Sequence, residues 1–222
     1  MKRTITAMLI AAIAIIAGAF TASGQVTATI TGAIDHETWK GGAASSVAVS
    51  GIPQSVEEFE ALREQLGREP QGAVALTLLA FEVFHQHGEA MGIECLKLCA
   101  TEGCINAARQ QLRDKLRDDD PSGYARPYQV ASFIKGATPE NGYNPPKPYV
   151  FEMMVDKAQQ YQWSNFLDSM VLYIRVKSAG TSTGSQQAEV ISPDDEYFYV
   201  NNCPGFYYQC RQISRKAKFL GL

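Results

Sequence analysis

Five cysteines and three histidines are the side chains of this chain that could serve as nucleophiles or metal ligands. Cys95, Cys99 and Cys104, with His85 or His87 just upstream, could close a zinc site. Their gaps of three and four residues differ from the two-residue knuckle that folds two thiolates onto one ion. A cysteine nucleophile paired with His85 needs exposure and a lowered pKa, and these cysteines fall on apolar stripes. Oxidation is the third possibility: in an oxidising compartment the five cysteines permit two bridges and leave one thiol over. Their pairing is open, except that Cys203 in a turn and Cys210 down the returning strand would stand too far apart to join. Burial as small apolar residues accounts for most of them equally well.

Other catalytic patterns are missing from the sequence. It contains neither a Gly-x-Ser-x-Gly elbow nor a phosphate-cradling glycine loop. Glu140, Glu152, Glu189 and Glu196 could supply paired carboxylates for glycoside hydrolysis, but nothing in their spacing brings two together. Asp118, Asp119 and Asp120 are consecutive, unlike the alternating ligands of a calcium loop, and read as a solvated turn. His85 and His87 close a helix, where histidine complements the dipole. No catalytic residue, metal ligand or cofactor is therefore assigned.

Side chains suited to binding concentrate in residues 127–151, PYQVASFIKGATPENGYNPPKPYVF. Tyr128, Tyr143 and Tyr149 offer broad amphipathic faces, and Lys135, Glu140 and Asn141 offer polar partners. These six are the candidate binding residues. Turn chemistry competes for the same stretch, since Asn141-Gly142 tolerates positive φ and Pro145-Pro146 stiffens an extended connector.

The elements that must position these residues follow from periodicity. Lys2 and Arg3, an apolar run from Ala7 to Phe20, and the small residues Ala22-Ser23-Gly24 form an export leader over residues 1–24. Its removal takes the net charge from −3 to −5, because the leader holds two bases and no acid. A mildly acidic chain with no basic run does not fit nucleic acid. The leader's apolar run is short for a bilayer span, so no membrane span is expected after cleavage. Residues 25–52 are rich in Gly, Ala and Ser and read as a flexible arm, with a short strand over 26–30. Four helices follow: one capped by Ser55 with Glu58, a central helix over 71–86 that is apolar on every side, and two more over 89–99 and 103–117. The last carries a solvated face of Arg109, Arg113, Asp114, Lys115 and Arg117. Period-two patterns then give strands over 149–155, 170–177 and 187–191, and a hairpin of 196–201 with 206–211. The expected fold is α+β: an N-terminal helical half packed on a small C-terminal antiparallel sheet or half-barrel, one domain over 53–212, with a basic tail over 213–222.

The segment VASFIKGATPENGYNPPKPYVFEM resembles the signature of an uncharacterised bacterial domain family, with its Gly-x-(Ser/Thr)-Pro-Glu-Asn-Gly-Tyr core. The similarity extends to the Ser55 helix, the Gln71-Gly72-Ala73 helix start and the VLYIRVKSAG strand, roughly residues 53–212. Cys203, Cys210 and the AGTSTGSQQ loop depart from the pattern. The resemblance implies no activity and transfers no functional residue. The sequence thus points to an exported binding or interaction domain, without a cofactor, whose partner is an envelope glycan or a protein. A hydrolase of envelope or extracellular glycan or peptide, with Glu140 as acid/base, is the alternative.

Overall fold

The computed structural model describes residues 25–34, 40–119, 123–159, 161–193, 196–208 and 210–221. The leader, His36, Trp39 and Asp120 lie outside the described residues. Helix α1 (Val56–Leu66) starts where Ser55 Oγ accepts the Glu58 amide at 3.2 Å. Glu58 reaches back one residue further than a standard capping box, accepting from the Gln54 amide at 2.8 Å. Its stripe of Phe59, Leu62 and Leu66 is buried. Helix α2 (Pro70–His87) is buried along almost its whole length and lies between α1 (Val56–Leu66), α3 (Glu89–Lys97) and the sheet. Thr101 caps α4 (Glu102–Lys115), accepting the Cys104 amide at 3.3 Å. No helix among the described residues is long and apolar enough to cross a membrane.

The sheet corrects the expected division into a helical N-terminal half and a C-terminal sheet. Strands β1 (Ala28–Thr31) and β2 (Ala44–Val49) precede every described helix. They join β3 (Tyr149–Val155), β4 (Tyr161–Ser164), β5 (Ser169–Lys177), β6 (Ser185–Ile191) and β7 (Tyr199–Asn202) in one seven-stranded antiparallel sheet. The order runs β1-β2-β3-β5-β6-β7, with β4 also paired to β5. Strand β2 pairs with β3 along six residues, from Ala44 opposite Met154 to Val49 opposite Tyr149. In Ala44–Val49 only Val47 and Val49 are large enough to reveal the alternation, so the composition masks a strand whose two valines lie fully buried.

The segment after β7 is a second correction. Residues 206–211, expected as a returning strand, begin instead in the short helix α5 (Gly205–Tyr208). Phe206 and Tyr207 are adjacent and both buried, which a strand with one face on the core cannot achieve. Further along, α6 (Arg215–Phe219) is capped by Ser214 and buries Ala217.

Among the described residues the long helices pack on one face of the sheet. Leu172, Ile174 and Val176 of β5 join Phe81, Leu79 and Val200 in the main core, while Val171 and Tyr173 point to the other face with Ile191. This is a two-layer arrangement, helices on one side of an antiparallel sheet.

His85, at the end of α2, has more than the helix dipole to act on it. Its Nε2 lies 3.1 Å from Asp118 Oδ1, and its Nδ1 lies 3.6 Å from Glu82 Oε1. Glu82 raises the pKa, burial lowers it, Asp118 adds to the rise, and the net shift is upward. A group with a raised folded pKa adds stability that is complete below its unfolded value and disappears as pH climbs through the folded one. His85→Gln is therefore expected to lower the denaturation midpoint at pH 5.5 and to match the wild type near pH 8.5. Equal losses at both values would refute the charge assignment.

Candidate functional site

The signature segment is built as a brace. Thr138 and Asn141 cap a 3₁₀ turn reciprocally, and the Asn141 amide nitrogen donates to the carbonyls of Gly136 and Asn144. Gly142 and Tyr143 then take left-handed conformations, φ 69° and 56°. Such a φ is costly for a bulky residue, and two contacts hold it. The Tyr143 ring stacks on Tyr128 with centroids 4.8 Å apart, and its hydroxyl donates to the Arg211 carbonyl at 2.8 Å. Tyr143 is 3 % exposed. Burial pushes its phenol far above the ordinary value, and does the same less strongly for Tyr128. Tyr143 is therefore not an open binding face, while Tyr128 is half-buried behind it.

The remaining candidates do not converge. Lys135 Nζ and Lys177 Nζ stand 2.9 Å and 3.1 Å from the two Glu152 oxygens, so Lys135 first and Lys177 second hold that carboxyl below its usual range. This trio lines a cavity of about 270 Å³ with Thr138 and Ser178. Tyr149 opens on a separate cavity of about 510 Å³, beside Lys147 and Glu58. Glu140 stands exposed, with Arg211 at 3.9 Å.

A cavity of about 870 Å³ forms a trough between α3 and α4. Most of its charges close on one another. Glu89 accepts from Arg113 and Arg109, which hold its carboxyl at about 2, and Lys97 meets Glu94 at 2.7 Å. Burial pushes the Cys95 thiol up to about 12 and the Cys99 thiol higher still. Among the described residues no group of three His, Cys, Asp or Glu stands together to hold a metal.

One pocket differs, and it lies where the brace ends. Its volume is about 340 Å³, and Lys115, Tyr124, Arg126, Gly180, Thr181, Ser182, Tyr208, Cys210 and Arg211 line it. No carboxylate is among the described residues of its wall. Lys115, expected on a solvated helix face, is 7 % exposed and places its Nζ 3.5 Å from the centre of the Tyr124 ring. Arg126 is oriented by the carbonyls of Cys210, Gly123 and Ala125. The Gly180 carbonyl accepts the Arg211 amide at 2.7 Å, which fixes the opposite wall. Gly180 is itself required there: a Cβ would meet Cys210 Sγ and the Ser132 side chain at 2.8 Å. Tyr124 and Tyr208 are half-exposed at the rim.

The signature therefore positions this pocket without lining it. Tyr143 holds the Arg211 carbonyl, and the Ser132 carbonyl accepts the Ala179 amide beside the Gly180 loop. Sequence reasoning missed the lining residues because they come from four separate segments with no local motif. The charge cluster around Lys115 was visible, but not the burial that singles out Lys115 from its neighbours.

A two-layer α+β domain with a cationic, tyrosine-rimmed pocket is thus the class that fold and site define. The chain belongs to the family described as Domain of unknown function (DUF6935), whose family model matches residues 51–214. That span includes the signature, every helix from α1 to α5 and all of the pocket. No curated protein matches the chain, and no solved structure does.

Proposed function

We propose that this protein is an exported, non-enzymatic binding domain that holds an acidic unit of an envelope or extracellular glycan. The observation that carries the reading is the pocket of Lys115, Arg126 and Arg211, whose described wall bears no carboxylate, in a chain of net charge −3. Cations gathered against the sign of the whole molecule mark a place for an anion. Tyr124 and Tyr208 at the rim suit the apolar face of a sugar ring, and the hydroxyls of Thr181 and Ser182 suit its oxygens. The size agrees with a small ligand, at the lower end of the usual range of roughly 300–1,000 Å³. Export rests on the leader read from residues 1–24. The hydrolase alternative draws no support from Glu140, which stands in solvent beside a cation rather than in a cleft facing a second acid.

Calorimetric titration with galacturonate oligosaccharides and their neutral galactose counterparts tests the proposal. The acidic series is expected to bind and the neutral series to bind at least tenfold more weakly, with affinity falling as salt rises. Arg211 is 56 % exposed through its side chain and is free to be truncated without disturbing the core. Arg211→Ala should cost about tenfold, since a charge-assisted hydrogen bond is worth roughly 1.5–3 kcal/mol. Lys115→Met keeps the buried stem and should cost a similar factor. Equal binding of neutral and acidic series, or unchanged affinity in both variants, would end the proposal.

A further inference from the structure

We infer that Cys104 and Cys203 form the structural disulfide of this protein when it folds in an oxidising compartment. Their sulfurs lie 3.7 Å apart, across 99 residues of chain. One sits in the first turn of α4 and the other just past the end of β7, next to Pro204. A bond needs about 2.0 Å between the sulfurs, so closure requires less than 2 Å of approach. Of the other thiols, Cys99 lies near the pair but donates to the Cys95 carbonyl and meets Thr77, and Cys210 faces the pocket beside Arg211.

The reaction is a double exchange with an external disulfide, either that of an exported thiol oxidase or glutathione disulfide. The first cysteine, as thiolate, attacks the external disulfide and releases one thiol. The second attacks the resulting mixed disulfide and releases the other. Two protein thiols lose two electrons and two protons, and the oxidant gains them as two thiols. Cys104 is 4 % exposed and Cys203 is fully buried in the finished fold. Contact with Cys104 and burial both raise the Cys203 thiol pKa. Exchange therefore belongs to folding, before α4 closes on the segment after β7, and the completed pair resists later reduction.

The bridge has a place in the architecture as well. Helix α4 ends at Lys115, and the chain after Cys203 runs through α5 to Tyr208, Cys210 and Arg211. The cross-link therefore ties together the two segments that carry opposite walls of the pocket. It stands independently of what that pocket binds.

The test counts thiols in wild-type protein refolded with a glutathione redox buffer, denatured and treated with maleimide. Three labels per chain are expected, rising to five after reduction, with peptide mapping joining Cys104 to Cys203. Reduction should lower the melting midpoint by roughly 5–15 °C, because the bridge closes a long loop in the unfolded chain. Cys104→Ser with Cys203→Ser should melt with the reduced wild type and lose the reductant response. Five labels without reductant, or a map joining other cysteines, would overturn the inference.

Discussion

Gly72→Ala is expected to destabilise the protein by about 2–3 kcal/mol, even though alanine is the better helix former by about 1 kcal/mol. The position is the third residue of α2, and a Cβ there would meet the Leu66 carbonyl oxygen at 1.9 Å and its carbon at 2.6 Å. Both are backbone atoms at the end of α1, so no rotamer change relieves the clash. The backbone around them is fastened as well. Glu69 donates to the Leu66 carbonyl at 3.1 Å, Gly67 donates to Arg63 at 2.6 Å, and Phe198 donates to the Gly67 carbonyl at 2.8 Å. Overpacking against a surround that cannot retreat costs typically 1–3 kcal/mol, occasionally more, which outweighs the gain in propensity. For a domain of this size the loss amounts to roughly 4–12 °C in melting midpoint. Gly103→Ala is the matched comparison. Gly103 lies in the first turn of α4 with nothing within 4 Å of a Cβ, so the same exchange should raise the midpoint slightly. Equal responses at the two glycines would show that the α1–α2 approach is not what fixes Gly72.

Gly72 also marks how far the sequence could be read. Its Gln71-Gly72-Ala73 setting was recognisable as part of the family pattern, but the reason for a glycine lies in a contact with α1 that no local pattern contains. Helices α1 and α4 were legible because each buries a stripe of large residues, and Ser55 marks the start of α1 as a side-chain cap. Strand β5 was legible for the parallel reason, with Leu172, Ile174 and Val176 alternating against Tyr173 and Arg175. Strand β2 was not, since alanine and serine carry little hydrophobic signal in either direction. Helix α5 was misread because Phe206, Tyr207 and Tyr208 have the composition of a strand while Pro204 and Gly205 start a helical turn. The candidate site shows the same division. Tyr143 and Asn141 stand out in the sequence as binding candidates, with Asn141-Gly142 also read as a turn; in the fold Tyr143 holds the Arg211 carbonyl and Asn141 caps a 3₁₀ turn. The residues that line the pocket become neighbours only after α4, the Gly180 loop and the chain after β7 have packed, so their relation is a tertiary fact.

Removing the Asp156 carboxylate should be as damaging as crowding Gly72, and for an electrostatic reason. Val155 is the last residue of β3 to pair with β5, opposite Ile174, and β4 resumes that edge with Tyr161 opposite Leu172. The connection between them leaves the sheet opposite Tyr173, and Asp156, only 2 % exposed, organises it. One carboxylate oxygen accepts the amides of Ala158 at 2.7 Å and Gln159 at 2.9 Å. The other accepts from Arg175 Nε and from Gln187 Nε2, side chains of neighbouring residues across β5 and β6. Burial opposes ionisation here, but the Gln159 and Ala158 amides and the Arg175 guanidinium together outweigh it, and the pKa is lowered. Asp156→Ala takes the acceptor from all four donors, of which Gln187 Nε2 keeps the Gln159 Oε1 contact at 3.2 Å. Breaking a fully buried pair costs about 3–5 kcal/mol. Arg175 is 39 % exposed through its side chain and recovers some solvation, so about 2–3 kcal/mol is expected. Asp156→Asn keeps an acceptor for the two amides but turns an NH₂ toward Arg175 and Gln187, and should lose about half as much. Because the folded pKa lies below the unfolded value near 3.8, the carboxylate's contribution is complete above that pH and is lost as pH falls through the folded pKa. The gap between wild type and Asp156→Asn in urea denaturation should therefore be constant from pH 5 to 8 and close below about pH 4. Hydrogen exchange should quicken first in β4 and the β4–β5 turn, the part of the sheet that depends on this connection for its register. A gap that stayed constant down to pH 3, or exchange that quickened uniformly across the sheet, would mean that Asp156 acts through packing and not through its charge.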